Sequence, residues 1–277
     1  MSTTEENDDA VRARHASPLR TTPTFRLALE YDGTDFAGFQ LQGKGERTVQ
    51  GVLETTIARL SGNLCRVHGA GRTDTGVHAT GQVAHFESDW RVPADKLAVA
   101  LNRELPRDLA VRRADQSPPG FHARYSATSR TYRYVVLNRP ARSALLGRFA
   151  LHVPRALDVE AMRAAAMRLI GVHDFAAFGR PDAPGKSTVR DVTDIEVRAW
   201  RDCVFITVRG NAFLRSMVRA FVGTLLKAGT GALTPGDVEN LLGSRDRAAC
   251  PPLAPAHGLC LARVAYDGTR HRGLIKR

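Results

Sequence analysis

The first clear pattern in the chain is an alternation of large apolar residues with smaller or polar ones. Phe25, Leu27, Leu29 and Tyr31 lie on one side of an extended segment, and this period of two predicts a β-strand over residues 25–31 with one buried face. Turn-forming Asp and Gly residues at positions 32–35 end the strand. Apolar residues then recur at helical spacing over positions 49–60, which predicts an amphipathic helix.

Strand and helix patterns continue along the rest of the chain. Further strands are predicted at residues 65–68, 82–87, 109–114, 131–137, 189–197, 204–208 and 259–264. Further helices are predicted at residues 93–103, 158–170 and 213–227, with a short helical turn at 237–242. Two prolines and two glycines make residues 179–187 an expected exposed loop. The strand at 189–197 alternates imperfectly, because Val192 falls on the face opposite Ile195 and Val197.

These elements predict an α+β fold, in which mainly antiparallel sheets carry helices on one face. Both halves mix strands and helices in similar proportions, so we expect two similar subdomains with a cleft between them. The expected boundaries are a disordered N-terminal tail at residues 1–24, an N-terminal subdomain at 25–125 and a C-terminal subdomain at 126–277.

The charge of the chain narrows the class of partner. Forty Lys and Arg residues oppose 28 Asp and Glu residues, which gives a formal net charge of +12. Such an excess favours a polyanionic partner, above all a nucleic acid, because each phosphate that a cation neutralises releases a counterion. A genome that prefers Arg codons is the alternative explanation of the same excess.

Other composition signals exclude several classes. The four cysteines, Cys65, Cys203, Cys250 and Cys260, form no C-x-x-C pair and are typical of reduced thiols in a cytoplasmic protein. No apolar run approaches the length of a membrane span, and the polar N-terminus does not resemble a signal peptide. His78 and His85 have no carboxylate at ligand spacing, so no metal site is expected there.

Candidate chemistry concentrates in the glycine-rich segment at residues 69–79. A cation, a carboxylate and two hydroxyls, from Arg72, Asp74, Thr73 and Thr75, stand between glycines that permit close backbone approach and positive φ. A turn of this kind can present one carboxylate at the floor of a cleft. It can equally be a solvated turn in which Asp74 caps the backbone, and the segment alone does not decide between the two.

Several motifs in a fixed order carry a resemblance to a known family. They are LEYDGTDFAGFQ at residues 29–40, VQGVLE at 49–54, GRTDTGVHA at 71–79, FHARYSATSRTYRY at 121–134, GNAFLRSMVRAFVG at 210–223 and APAHGL at 254–259. Together they resemble the tRNA pseudouridine synthase A family over residues 25 to 268. One departure is Phe39, where the family usually carries Trp; we expect a change in packing without loss of chemistry.

The resemblance implies an enzyme that isomerises uridine to pseudouridine at positions 38–40, in the anticodon stem-loop of tRNA. It implies a catalytic set of Asp74, Tyr132 and Arg219, in which Asp74 acts at the sugar or the base. Arg219 would pair with Asp74 and keep it ionised, with Arg215 one helical turn earlier as the residue most easily confused with it. The isomerisation needs no redox cofactor, ATP or metal. A cytoplasmic homodimer is also implied.

Substrate contacts follow from the same resemblance. They are assigned to Arg72, Thr73, His78, Gln40 and Tyr132, and His78 can instead have a structural role. Tyr132 can stack on the flipped uracil, with its strand neighbour Tyr134 as a packing alternative. Arg72 can fill the gap that the flipped base leaves, or contact a phosphate instead. A run of basic residues can line an RNA groove or form a solvated strand face. Its members are Arg124, Arg130, Arg133, Arg139, Arg142 and Arg148.

Two other functions remain open from the residues themselves. A non-catalytic RNA-binding protein of the same fold would need the basic surface but not the catalytic set. A metal-dependent nuclease would use Asp32, Asp35 and Asp74 together, and chelators would then inhibit it.

Overall fold

A computed structural model describes residues 22–43 and 45–266 of the chain. Residues 1–21 of the predicted tail lie outside the described residues. The first strand opens at Thr24, so the tail boundary predicted at residue 24 overlaps the strand by one residue.

The first part of the chain forms the predicted kinds of element, although the strand expected at 65–68 is only His68–Gly69 and the strand expected at 82–87 begins at His78. Its elements are β1 (Thr24–Tyr31), α1 (Val49–Ser61), β2 (His68–Gly69), β3 (His78–Glu87), α2 (Ala94–Glu104) and β4 (Leu109–Gln116). The alternate apolar residues of β1 are buried as the period of two requires. Helix α1 begins after Thr48, whose side chain accepts a hydrogen bond from the Gly51 amide, and ends at Gly62 in the left-handed region.

The second part contributes nine further strands and helices. They are β5 (Ala127–Leu137), β6 (Leu151–His152), α3 (Val159–Ala166), β7 (Gly171–Asp174), β8 (Val189–Trp200), β9 (Cys203–Gly210), α4 (Met217–Gly229), α5 (Pro235–Ser244) and β10 (Leu259–Tyr266). Short 3₁₀ turns span Met167–Leu169 and Ala256–Gly258. The predicted helical turn at 237–242 is a longer helix, because Thr234 and Asp237 form a reciprocal capping box at its start.

The ten strands form one mixed sheet in the order β4-β1-β3-β10-β5-β9-β8-β7, with β2 on β3 and β6 on β5. Strand β10 lies at the seam between the two halves. It pairs in parallel with β3, where Cys260 faces His78, and antiparallel with β5, where Leu261 faces Tyr132. The α+β class is confirmed. The subdomain boundary at residues 125 and 126 stays a prediction, since the sheet runs across it without a break.

Two predicted elements differ from the structure for identifiable reasons. Val192 is fully buried together with Ile195 and Val197, although simple alternation places it on the opposite face. The register of β8 on β9 shifts between Val192 and Asp194, and such a bulge inserts one residue and returns Val192 to the core side. The predicted helix at 213–227 begins four residues late, at Met217, because Ser216 takes a left-handed backbone with φ of 59°.

The seam between β3 and β10 offers a test of the fold. A Cβ added at Gly81 would lie 2.2 Å from the carbonyl oxygen of Ala262 on β10. No flexible side chain can move to relieve this clash, because it lies between the backbones of two paired strands. Gly81→Ala is therefore expected to lower the free energy of unfolding by about 2 kcal/mol or more, measured by urea denaturation. Gly43→Ala is the control, because nothing lies within 4 Å of its added Cβ. Equal stability of the two variants would contradict the close packing of this seam.

Candidate active site

The glycine-rich segment connects β2 to β3, and a buried glutamine holds its start. The Gln82 side chain, fully buried on β3, donates from Nε2 to the Gly71 carbonyl at 2.8 Å and accepts from the Gly71 amide at 3.3 Å. A side-chain amide bonded to both backbone groups of one residue replaces a missing strand partner. Gln82 therefore fixes the backbone immediately before Arg72.

Thr73 anchors the next residue of the segment. Its hydroxyl shares a 2.8 Å hydrogen bond with the buried Tyr31 hydroxyl, and its carbonyl accepts from the Phe39 amide at 3.1 Å. Gly38 permits this approach, because a Cβ there would lie 2.7 Å from the Thr73 carbonyl oxygen. Gly76 then turns the chain with φ of 77°. With Thr73 anchored before it and the turn at Gly76 after it, Asp74 faces the second half of the protein, where its carboxylate meets Ser216 and Arg219.

Asp74 meets two side chains from the second half. Its Oδ2 accepts a hydrogen bond from the Ser216 hydroxyl at 2.7 Å and lies 3.4 Å from Nη1 of Arg219. The carboxylate keeps a quarter of its surface exposed, so one side of it is open to a ligand. Arg219 is itself held, since its Nε donates to the Ala254 carbonyl at 2.8 Å and its own carbonyl accepts from the Ala254 amide.

Ser216 is a site residue that the sequence reasoning missed. It precedes α4, where a serine ordinarily caps the helix with its side chain. Here the left-handed backbone of Ser216 leaves the helix without a side-chain cap, and the hydroxyl binds Asp74 instead. A non-glycine residue with positive φ carries a strain of about 1–3 kcal/mol and is often found at functional sites. The preference of serine for a helix start is the one sequence signal that could have drawn attention to it.

Tyr132 projects from β5 beside this carboxylate. The ring is 8% exposed and packs edge-on against Phe213, with centroids 5.3 Å apart. Burial raises the pKa of Tyr132 to about 12, with the negative charge of Asp74 adding to the rise and Arg130 opposing it. The hydroxyl therefore keeps its proton at neutral pH. Tyr134, two residues along the same face, is fully buried and donates to the Pro255 carbonyl at 2.8 Å, which makes it a packing residue.

These side chains line one cleft of about 540 Å³ between the two halves. Of the seven residues predicted as catalytic or substrate-contacting, six border it, namely Gln40, Arg72, Thr73, Asp74, Tyr132 and Arg219. Arg72 is half exposed at the side of the cleft. The residues come from the segment between β1 and α1, the glycine-rich segment, β5 and α4, so the cleft exists only when both halves are folded together.

His78 does not border this cleft, and its expected substrate contact stays a prediction. It is the first residue of β3 and is 5% exposed. Its Nδ1 accepts from the Gly33 amide at 3.0 Å, and its Nε2 lies within 3.1 Å of the carbonyls of Arg148 and His257. Both ring nitrogens are thus occupied within the protein, which gives His78 a structural role in tying the first turn to the closing motif.

The predicted basic run is not one groove. Arg124 and Arg130 border the cleft, but Arg130 is buried and donates to backbone carbonyls, including those of Ala70 and Asn211 in opposite halves. The outer members do not border the cleft, and two of them pair with acids: Arg139 with Asp202, and Arg148 with Asp32 and Asp35.

Arg215 also differs from its prediction. It precedes α4 instead of lying on it, and its amide donates to the Arg180 carbonyl at 3.0 Å. Arg215 and Arg219 therefore do not share a helix face, and the ion pair with Asp74 belongs to Arg219.

The three carboxylates of the nuclease hypothesis do not come together. Asp32 and Asp35 both pair with Arg148, whereas Asp74 pairs with Arg219. Within residues 22–43 and 45–266, no group of three or more His, Cys, Asp or Glu side chains is arranged to hold a metal ion. Over the same ranges, no helix is both long and apolar enough to cross a membrane.

Comparison with known proteins adds to this geometry. The sequence profile described as tRNA pseudouridine synthase matches residues 27–126 and 165–267. The chain belongs to the tRNA pseudouridine synthase family. It is 45% identical to the tRNA pseudouridine synthase A of Syntrophotalea carbinolica, over 87% of this chain and 95% of that protein.

Two other relatives have similar coverage. The tRNA pseudouridine synthase A of Halalkalibacterium halodurans is 44% identical over 86% of this chain and 90% of its own length. That of a Methylobacterium species is 46% identical over 88% and 98%. The resemblance drawn from the motifs is thereby confirmed. The matched segments of the tRNA pseudouridine synthase profile contain Asp74 and Arg219, whereas Tyr132 lies between the two segments.

Proposed function

We propose that this protein is a tRNA pseudouridine synthase that isomerises uridine at positions 38–40, in the anticodon stem-loop of tRNA. Membership of the family supports the isomerase activity and the tRNA substrate. The observation that carries the proposal is the meeting of Asp74, Tyr132 and Arg219 in one cleft, from segments far apart in sequence.

In the proposed reaction, the bond between C1′ of the ribose and N1 of uracil breaks, and a bond from C1′ to C5 forms after the base has turned. C5 loses its proton and N1 gains one, so the product is an isomer of the substrate. Asp74 is the carboxylate that acts at the sugar or the base. Its open side faces the cleft, while Ser216 and Arg219 bind the other side.

Arg219 is the proposed positioning cation for Asp74. A guanidinium is permanently charged and can donate in two directions at once, here to the Ala254 carbonyl and to the carboxylate. Ser216 adds a neutral hydrogen bond to the same oxygen. This arrangement compensates the cost of placing a carboxylate in a cleft from which a bound base would exclude water.

Tyr132 is the proposed contact to the base, through both its ring and its hydroxyl. No hydrogen bond joins that hydroxyl to another described residue, although it borders the cleft. Tyr132→Phe keeps the ring, so tRNA binding is expected to stay within about 2-fold of the wild type. Because the hydroxyl is proposed to transfer a proton, we expect the single-turnover rate constant to fall about 100-fold, measured by tritium release from [5-³H]uridine-labelled tRNA.

Tyr132→Leu separates the two parts of this role. Without an aromatic face, the variant is expected to lose affinity as well as rate, since stacking of one base contributes about 1–3 kcal/mol. A wild-type rate for Tyr132→Phe would exclude the hydroxyl from the chemistry and leave Tyr132 only its ring.

The remaining cleft residues are proposed to contact the RNA. Gln40 offers an amide at the rim, and Thr73 forms part of the floor. Arg72 is placed either to fill the gap left by the flipped base or to bind a phosphate. A cytoplasmic homodimer is part of the same proposal, because the excess of positive charge would extend over two joined basic surfaces.

The test of the function is turnover by the purified protein on unmodified tRNA. Pseudouridine is expected in the anticodon stem-loop, located by chemical sequencing that marks pseudouridine. Tritium release without a mark at positions 38–40 would keep the activity and overturn the positions. Tight binding of tRNA without any pseudouridine would favour an RNA-binding protein without catalysis.

A further inference from the structure

An acidic side chain closes one side of the cleft that the proposed function assigns to RNA. Asp182 borders the cleft and pairs with two arginines that come from different segments. Its Oδ2 pairs with Arg124, and its Oδ1 lies 3.8 Å from Nη1 of Arg72. Each carboxylate oxygen thus faces one guanidinium.

Asp182 belongs to a loop with few other attachments to the body of the protein. Residues 182–187 are exposed. At the loop's base, the Arg180 carbonyl accepts from Arg215 and the Thr188 carbonyl from Phe175. Between those two anchors, the structure describes one backbone hydrogen bond. It runs from the Lys186 amide to the Ala183 carbonyl and so lies within the loop itself. Arg190 also donates from Nη1 to the Ser187 carbonyl at 2.8 Å, near the end of the loop. The contacts that hold the part of the loop at the cleft are the ion pairs of Asp182.

We propose that Arg72 and Arg124 form a binding site for one RNA phosphodiester, and that Asp182 occupies this site until RNA displaces it. A phosphodiester has two non-bridging oxygens that share one negative charge, as a carboxylate does, and arginine binds both groups with similar geometry. The inference rests on the proposed function, and it assigns phosphate binding to Arg72 where the sequence left two roles open.

The electrostatics favour replacement of the carboxylate. All three side chains are between 36% and 49% exposed, and exposed ion pairs contribute little to stability. An RNA strand that enters the cleft brings several phosphates whose counterions are released on binding. The loop can then move away without breaking a buried contact, and Asp182 acts as a competitor that weakens binding of anions too small to reach the rest of the cleft.

The experiment measures tRNA affinity by fluorescence anisotropy with full-length unmodified tRNA at low salt. Asp182→Asn is expected to bind tRNA about 3- to 5-fold more tightly than the wild type, because the competing charge is gone while the side chain keeps its size. Asp182→Ala is expected to change affinity in the same direction. Arg124→Ala is expected to weaken binding and to lower the dependence of log Kd on log salt by about one ion.

A double-variant cycle assigns the effect to this site. In the background Arg72→Ala/Arg124→Ala, Asp182→Asn is expected to leave tRNA affinity unchanged, because the site it competes for is absent. The matched control is Asp202→Asn, which removes an exposed acidic partner from Arg139 outside the cleft and is expected to leave Kd unchanged. Unchanged or weaker binding by Asp182→Asn would overturn the proposal.

The outcome is separable from that of the proposed function. Failure of Asp182→Asn to tighten binding, in a protein that forms pseudouridine, overturns the phosphate site alone. Tighter binding by the variant in a protein that forms no pseudouridine overturns the enzyme and keeps the phosphate site.

Discussion

Asp74→Asn is expected to abolish pseudouridine formation, with a fall in the rate of about 10⁴-fold or more. Asparagine has nearly the same size and can still accept the hydrogen bond that Ser216 donates to Asp74. It cannot act as a charged nucleophile or take a proton at neutral pH. The change therefore removes the proposed chemistry and leaves the cleft intact.

The measurement is single-turnover tritium release together with tRNA affinity. Affinity is expected within about 3-fold of the wild type, because the contacts assigned to Arg72, Gln40 and Tyr132 are unchanged. Asp35→Asn is the control, since Asp35 is an exposed carboxylate 3.7 Å from Arg148 and outside the cleft. Full tritium release by Asp74→Asn would remove Asp74 from the catalytic role.

Local patterns in the sequence were sufficient for most of the elements. The alternation in β1 and the helical spacing in α1 each depend on burial of one face, which neighbouring residues along the chain report directly. The place of β10 in the sheet is different. Its pattern predicted a strand, but pairing with β3 and β5 depends on contacts between distant segments that periodicity does not encode.

The contacts of the candidate site likewise depend on segments that are distant in sequence. Asp74 and Arg219 are 145 residues apart, and their pairing was expected only from a family resemblance over several motifs. Ser216 could not be predicted as a site residue, because its hydroxyl reaches Asp74 through a left-handed backbone conformation. The pattern of side chains along the sequence does not report that conformation. The position of His78 in the glycine-rich segment left a substrate contact and a structural role open, and its burial at the start of β3 depends on sheet pairing that local pattern does not report. No sequence pattern indicated a role for Asp182, because its partners Arg72 and Arg124 are brought to it by tertiary structure.

Arg219→Met is expected to lower the rate of pseudouridine formation about 10- to 150-fold, with a smaller effect on tRNA affinity. The ion pair with Asp74 spans 3.4 Å, and both side chains are at least three-quarters buried. A hydrogen bond to a charged group contributes about 1.5–3 kcal/mol, and that range corresponds to the stated change in rate. Methionine retains an unbranched apolar stem, so α4 keeps most of its packing.

Two further variants distinguish the ion pair from a general loss of stability. Arg168→Met removes a guanidinium that lies 3.4 Å from Glu239 on the surface, the same separation as in the Arg219 pair, and is expected to leave the rate unchanged. Arg219→Lys keeps the charge but has one ammonium group in place of the planar guanidinium that bridges the Ala254 carbonyl and Asp74. Its rate is therefore expected to lie between those of Arg219→Met and the wild type. A wild-type rate for Arg219→Met would show that the hydrogen bond from Ser216 suffices to hold Asp74.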